Sequence, residues 1–154
     1  MPNLATFIER IFARKGQDVV IAAGDSTIRE AGLLMLEKKV GSVVVVGAGN
    51  QPLGIFTDRD YFRLTMQLDP ESTAFAELMN TSLSKVMTRN VITGTASMAM
   101  ETVMDLILSH RIRHLPIVDE NKKMIGIISI GDVLKQALLD IQKENADLRS
   151  FISS

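Results

Sequence analysis

Between Val19 and Asp60 the apolar residues change period repeatedly, and each change predicts an element. Val19-Val20-Ile21 is a short β-branched run that reads as a strand. Thr27-Ile28-Arg29-Glu30 then has the spacing of a capping box, in which a hydroxyl and a carboxylate three residues apart each accept the other's backbone N–H. A helix is expected to open there. Its apolar positions Ile28, Ala31, Leu34 and Met35 recur at three- and four-residue steps and so bury one face, and Gly41 is expected to end it. Ser42 to Val46 lacks polar alternation, as a strand covered on both faces does. Gly47 to Pro52 is dense in turn formers, Leu53 to Phe56 is a further strand, and Tyr61, Phe62, Leu64 and Leu68 mark a second amphipathic helix.

The same order returns. Gly54-Ile55-Phe56-Thr57-Asp58-Arg59-Asp60 reappears 72 residues later as Gly126-Ile127-Ile128-Ser129-Ile130-Gly131-Asp132, and the offset needs no gap from Val19/Val91 to Asp60/Asp132. The second copy predicts a strand at Val91 to Thr93, a helix around Met98 to Ser109, strands at Leu115 to Val118 and Met124 to Ser129, and a helix from Asp132. Each β-α-β-β-α unit spans about fifty residues, too few to bury much surface alone, so the copies are expected to pair. The fold class expected is α+β, with residues 1–75 holding the first copy and 76–154 the second.

Two segments lie outside the repeat. Leu4, Phe7, Ile8, Ile11 and Phe12 form an N-terminal helical stripe expected to pack on the pair. Leu134, Leu138, Ile141, Asn145, Leu148 and Ile152 fall at alternating four- and three-residue steps, a heptad seam. That seam reads either as a helix lying on its own domain or as a surface for self-association.

Composition narrows the function classes. Hydrophobic residues make up 46% of the 154, ample for a globular core, and 17 basic against 18 acidic side chains leave no field to attract a nucleic acid or an anionic membrane. There is no cysteine, hence no disulfide, thiol nucleophile or thiolate metal site. No apolar stretch approaches the ~20 residues of a membrane span and the N-terminus lacks a signal-peptide core, so a cytoplasmic protein is expected, or an organellar matrix protein after loss of a presequence.

The doubled glycine–apolar–apolar–hydroxyl–any–any–aspartate segment, together with Arg111-Ile112-Arg113-His114-Leu115-Pro116-Ile117-Val118, resembles a tandem pair of CBS domains, the modules named after cystathionine β-synthase. The resemblance covers roughly residues 17 to 140 and is greatest to stand-alone pairs of bacteria and plant organelles. It implies two repeats packed about a pseudo-two-fold axis, flanked by the extra terminal helices. It also implies a homodimer that binds an adenine nucleotide, AMP foremost, in the cleft between the repeats and regulates a partner protein.

On the residues alone, Asp60 and Asp132 sit where an aspartate commonly caps a helix, Thr57 and Ser129 read as strand hydroxyls, and Gly54 and Gly126 permit close strand packing. The resemblance adds that the aspartates accept hydrogen bonds from ribose hydroxyls, that Thr57 and Ser129 contact ribose or phosphate, and that the glycines admit the nucleotide. An acceptor-only, two-pronged carboxylate suits neighbouring hydroxyls. Val20, Ile21, Val91 and Thr93 supply an apolar edge for adenine, with Thr93 its one polar member. Arg113 and His114, before Leu115 and Pro116, match basic residues that bind phosphate in regulatory subunits of AMP-activated protein kinases. Their first-copy counterparts, Gly41 and Ser42, are uncharged, whereas Arg59 faces Gly131 in the alignment. Because the resemblance implies copies packed about a pseudo-two-fold axis, Arg59 from one copy and Arg113 with His114 from the other are expected to converge on one central cleft.

Nothing marks a catalytic centre. His110 and His114 have a zinc-like spacing, but Pro116 and the strand after His114 break the helix such a site needs, and neither a phosphate loop nor a nucleophile elbow is present. The expectation is a nucleotide sensor rather than an enzyme, with no catalytic cofactor. The alternative is a structural homodimerisation module whose nucleotide sites have decayed.

Overall fold

The computed structural model describes residues 5–153. The elements run α1 (Phe7–Lys15), β1 (Ile21–Ala22), α2 (Ile28–Lys38), β2 (Ser42–Val46), β3 (Pro52–Thr57) and α3 (Asp58–Met66). There follow α4 (Ala74–Met79), α5 (Leu83–Val86), β4 (Gly94–Thr95), α6 (Met100–His110), β5 (His114–Val118), β6 (Met124–Ser129) and α7 (Ile130–Ser153). The class is α+β: two three-stranded sheets, ordered β1-β2-β3 and β4-β5-β6, each carry helices.

Capping chemistry sets the start of α2 as the sequence predicts. Thr27 caps α2, its hydroxyl accepting from Glu30 N at 3.1 Å while Glu30 returns a carboxylate oxygen to Thr27 N. The helix ends correct one expectation. Gly41 does not terminate α2; Lys39 does, in the left-handed region at φ 56°, and Arg111 ends α6 at φ 53°. Val40 N donates to Met35 O at 3.0 Å and Ile112 N to Ile107 O at 3.1 Å, the six-to-one bond of a Schellman motif. That bond fixes the left-handed residue at the same place in both copies without a glycine.

The first strand of each copy is also displaced from the expected position. Val19 to Ile21 and Val91 to Thr93 give way to Ile21–Ala22 and Gly94–Thr95. Parallel pairing with the adjacent strand defines them: Ala22 pairs with Val45 and Gly94 with Ile117, one pairing seen twice at the 72-residue offset. Val20 still accepts the Val44 N–H through its carbonyl.

The chain divides into two compact units. The first-repeat unit comprises Asp18–Val91 with Glu120–Met124; the second-repeat unit comprises the segment ending at Gln17, Ile92–Asp119 and the segment from Ile125 onward. Each core contains a helix from outside its own β-α-β-β-α run. In the first-repeat unit Met79, Leu83 and Met87 pack with Ile28, Met35, Val43, Val45 and Phe56. In the second-repeat unit Phe7, Ile8, Ile11 and Phe12 pack with Val103, Ile107, Leu115, Ile117, Ile128 and Val133. The N-terminal stripe thus serves the repeat farther from it in sequence; its expected member Leu4 lies outside the described residues. Helix α1 is held to α7 by Arg10–Asp140 and Lys15–Asp132 ion pairs of 2.8 and 2.7 Å. No helix among the described residues is long and apolar enough to cross a membrane.

Candidate nucleotide site

In each unit a strand passes directly into a helix at the doubled motif, and the junction is built the same way. Thr57 is the N-cap of α3, its hydroxyl accepting from Asp60 N at 3.2 Å, and an Asp60 carboxylate oxygen accepts from Thr57 N at 3.0 Å. Ser129 and Asp132 repeat the exchange at 3.1 and 2.7 Å. Hydroxyl and aspartate are therefore the two halves of a capping box, with the aspartate three residues inside the cap. The backbone closes the junction: Asp58 N donates to Gly41 O at 3.0 Å and Ile130 N to Arg113 O at 2.9 Å. In the second-repeat unit this sets Arg113 beside the Ser129–Asp132 turn; in the first the same place holds Gly41, beside Thr57, Arg59 and Asp60.

Each aspartate also faces a cation. Asp60 Oδ1 takes Arg63 at 3.1 Å, one turn along α3, and Asp132 Oδ2 takes Lys15 at 2.7 Å. Burial pushes the Asp132 carboxyl up, but hydrogen bonds from Lys15 and from the Ser129 N–H, with the Lys15 charge, outweigh it and hold the group below its ordinary range. It is thus a carboxylate at neutral pH. Each oxygen has two lone pairs: the two Asp60 oxygens are engaged once each and can accept again, whereas Asp132 Oδ2 takes both Ser129 N and Lys15 and leaves Oδ1 as the acceptor for a ribose hydroxyl. Lys15 was not among the expected residues; it is contributed by the N-terminal stripe, 117 positions from its partner, and no local spacing marks it.

The glycines have a definite neighbour. A Cβ on Gly54 would stand 2.3 Å from Met87 Sδ, and one on Gly126 would stand 2.5 Å from Phe12 Cζ. The side chain each lacks makes room for a side chain of the packed helix or of the segment just after it. Pro116 is buried within β5, between the buried Leu115 and Ile117. Arg59 and Arg113 are exposed, and His114, Thr93, Val91 and Val20 are half-buried. Ile21 is 45% exposed at the edge of its sheet. Among the described residues no group of three His, Cys, Asp or Glu could hold a metal, and His110 and His114 lie on α6 and β5 respectively.

The fold is a duplicated β-α-β-β-α unit with one junction built twice, and comparison with known proteins gives the family. The CBS domain model matches residues 10–66 and 83–138, and the chain belongs to the CBS-domain family. It is similar to the CBS-domain protein ATU1752 of Agrobacterium tumefaciens, with a TM-score of 0.75 and 37% identity over 84% of this chain and 98% of that one. YhcV, a CBS domain-containing protein of Bacillus subtilis, is 36% identical over 116 residues, 75% of this chain and 76% of its own. The crystal structure of CBSX2 in complex with AMP superposes with a TM-score of 0.66 at 26% identity, over 84% of this chain and 92% of that one.

Proposed function

We propose that this chain is a non-enzymatic regulatory sensor that binds an adenosine-containing ligand, AMP foremost, at its strand-to-helix motifs and transmits occupancy to a partner protein. The observation that carries this reading is the repeated Thr57/Asp60 and Ser129/Asp132 junction, which presents a fixed carboxylate beside a hydroxyl in both units. Similarity to CBSX2, whose structure contains AMP, supports the ligand class. Asp60 and Asp132 receive the ribose hydroxyls; Thr57 and Ser129 contact ribose or phosphate. Arg59, Arg113 and His114 supply positive charge for the phosphate. Val20, Ile21, Val91 and Thr93 contact the base. ATP, NAD(H) and S-adenosylmethionine share the adenosine that these groups address.

A ligand regulates only if it binds two conformations unequally, and a homodimer whose geometry changes on binding is the element we assign to that task. The protein acts in the cytoplasm or an organellar matrix, where such nucleotides are available. Calorimetric titration and thermal shift with AMP, ATP, NADH and S-adenosylmethionine test the reading, because a ligand specific to the folded state raises the melting temperature with the logarithm of its concentration over Kd. No shift with any of them at millimolar concentration refutes it and leaves the structural module.

A further inference from the structure

The heptad seam of α7 is not the face by which that helix lies on its own unit. The buried residues of α7 are Val133 and Gln136, whereas Leu134, Leu138, Ile141, Leu148 and Ile152 are 53–81% exposed. With 3.6 residues per turn the seam centres roughly 100° around the helix from Val133 and farther from Gln136. The helix runs unbroken for 24 residues and is exposed throughout from Ile141, so an ordered apolar stripe stands in solvent. We infer that this stripe pairs with the same stripe of a second copy of the chain as a parallel two-stranded coiled coil, second repeat beside second repeat.

The occupant and its direction follow from the residues flanking the seam. With Leu134, Ile141 and Leu148 at d, the a positions are Leu138, Asn145 and Ile152; Lys135, Gln142 and Arg149 fall at e, and Ala137, Glu144 and Phe151 at g. In a parallel pair, Glu144 at g meets Arg149 at e of the other copy, once on each side, an attraction of opposite charges. In an antiparallel pair, Lys135 meets Arg149 and Glu144 meets Glu144, so every charged flank is repulsive. Asn145 decides in the same direction. Parallel helices set its amide against an identical amide that can donate and accept in return, whereas antiparallel helices set it against Ile141 and leave a polar group without a partner. Leu138 at a beside Ile141 at d, taken alone, suits three or four strands; a single a-position Asn restricts the coil to two, and Ile152 at a beside Leu148 at d agrees. Phe62 and Met66, the first-repeat counterparts of Leu134 and Leu138, are likewise exposed, at 64% and 68%, so each repeat offers the same helix face.

The inference rests on self-association, part of the function proposed above, and adds its surface, partner and direction. Sedimentation equilibrium of the parent chain, of Glu144→Arg, of Arg149→Glu and of the double charge swap tests it. Each single reversal places like charges together and should weaken the dimer about tenfold, and the swap should restore it. Because the chain has no cysteine, Ile152→Cys carries one thiol, and mild oxidation should give a disulfide-linked dimer, since equivalent a positions of parallel helices lie within reach of such a bond. A monomeric parent overturns both self-association and the coil. A dimer whose dissociation constant is unchanged by the single reversals or by truncation after Gln142, or whose Ile152→Cys variant forms no crosslink, overturns the coil alone.

Discussion

Lys15 and Asp132 form a 2.7 Å ion pair that joins the last turn of α1 to the first turn of α7, and Asp132 is at the same time the carboxylate half of a capping box. One side chain therefore closes a helix start, anchors the N-terminal helix and presents the acceptor proposed for a ribose. The pair's side chains are 26% and 19% exposed, so water screens it only in part.

Replacing Lys15 by Met, the residue at the equivalent place in the other copy, should destabilise the protein by about 1 kcal/mol at neutral pH. The Asp132 carboxyl is lowered in the folded chain from its ordinary 3.8, so the pair's contribution is present above that pH and is lost as the pH falls through the folded value. Urea unfolding of parent and Lys15→Met should therefore differ at pH 7 and converge well below pH 4.

Asp60→Ala and Asp132→Ala should each lower stability by about 1 kcal/mol through the lost capping box and weaken adenosine binding by about 1.5–3 kcal/mol. Titration calorimetry on the folded variants separates the two effects. Loss of stability with unchanged affinity would show that the carboxylates act only as caps.

Alanine at Gly126 should destabilise the second-repeat unit by about 1–3 kcal/mol, since the added methyl would meet the rigid Phe12 ring at 2.5 Å. Gly54→Ala should cost less, because Met87 is flexible and can swing aside. Combining Gly54→Ala with Met87→Ala should cost less than the sum of the two single changes, a coupling that chemical denaturation measures.

AMP should bind more tightly than adenosine, with most of the difference removed by neutralising Arg113, His114 and Arg59. An arginine contribution persists at any ordinary pH, whereas an imidazole titrates near 6.5, so the histidine share should fade as pH rises through neutrality. Ionisation of the phosphate near 6 works the other way, and a His114→Gln variant supplies the reference. Equal affinities for AMP and adenosine, or matching pH profiles for parent and variant, would remove the phosphate assignment.

The parts legible in the sequence are those fixed by nearby residues. Thr27 and Glu30 mark a helix start because both halves of the box lie within one turn, and Ser42–Val46 is a strand because no polar residue interrupts it. Strands of two residues left little pattern to read, and parallel pairing with Val44 and Val45, rather than local propensity, set Ile21–Ala22. Residues 74–86 gave no signal for α4 and α5, which are six and four residues long and take their place from the core they cover. The doubled motif disclosed Asp60 and Asp132, while Lys15 stayed hidden because an ion pair across 117 residues has no period.

The exchange of helices between repeats also governs how the protein can be made. A ribosome releases the apolar face of α1 first, yet Val103, Leu115, Ile128 and Val133, which cover it, emerge about a hundred residues later. At 5–20 residues per second that is a wait of roughly 5–25 s. The first repeat in turn stays incomplete until Leu83 and Met87 have left the exit tunnel. Cleavage midway along the chain would give two fragments, each holding the piece the other lacks, and they should recover native packing only when mixed.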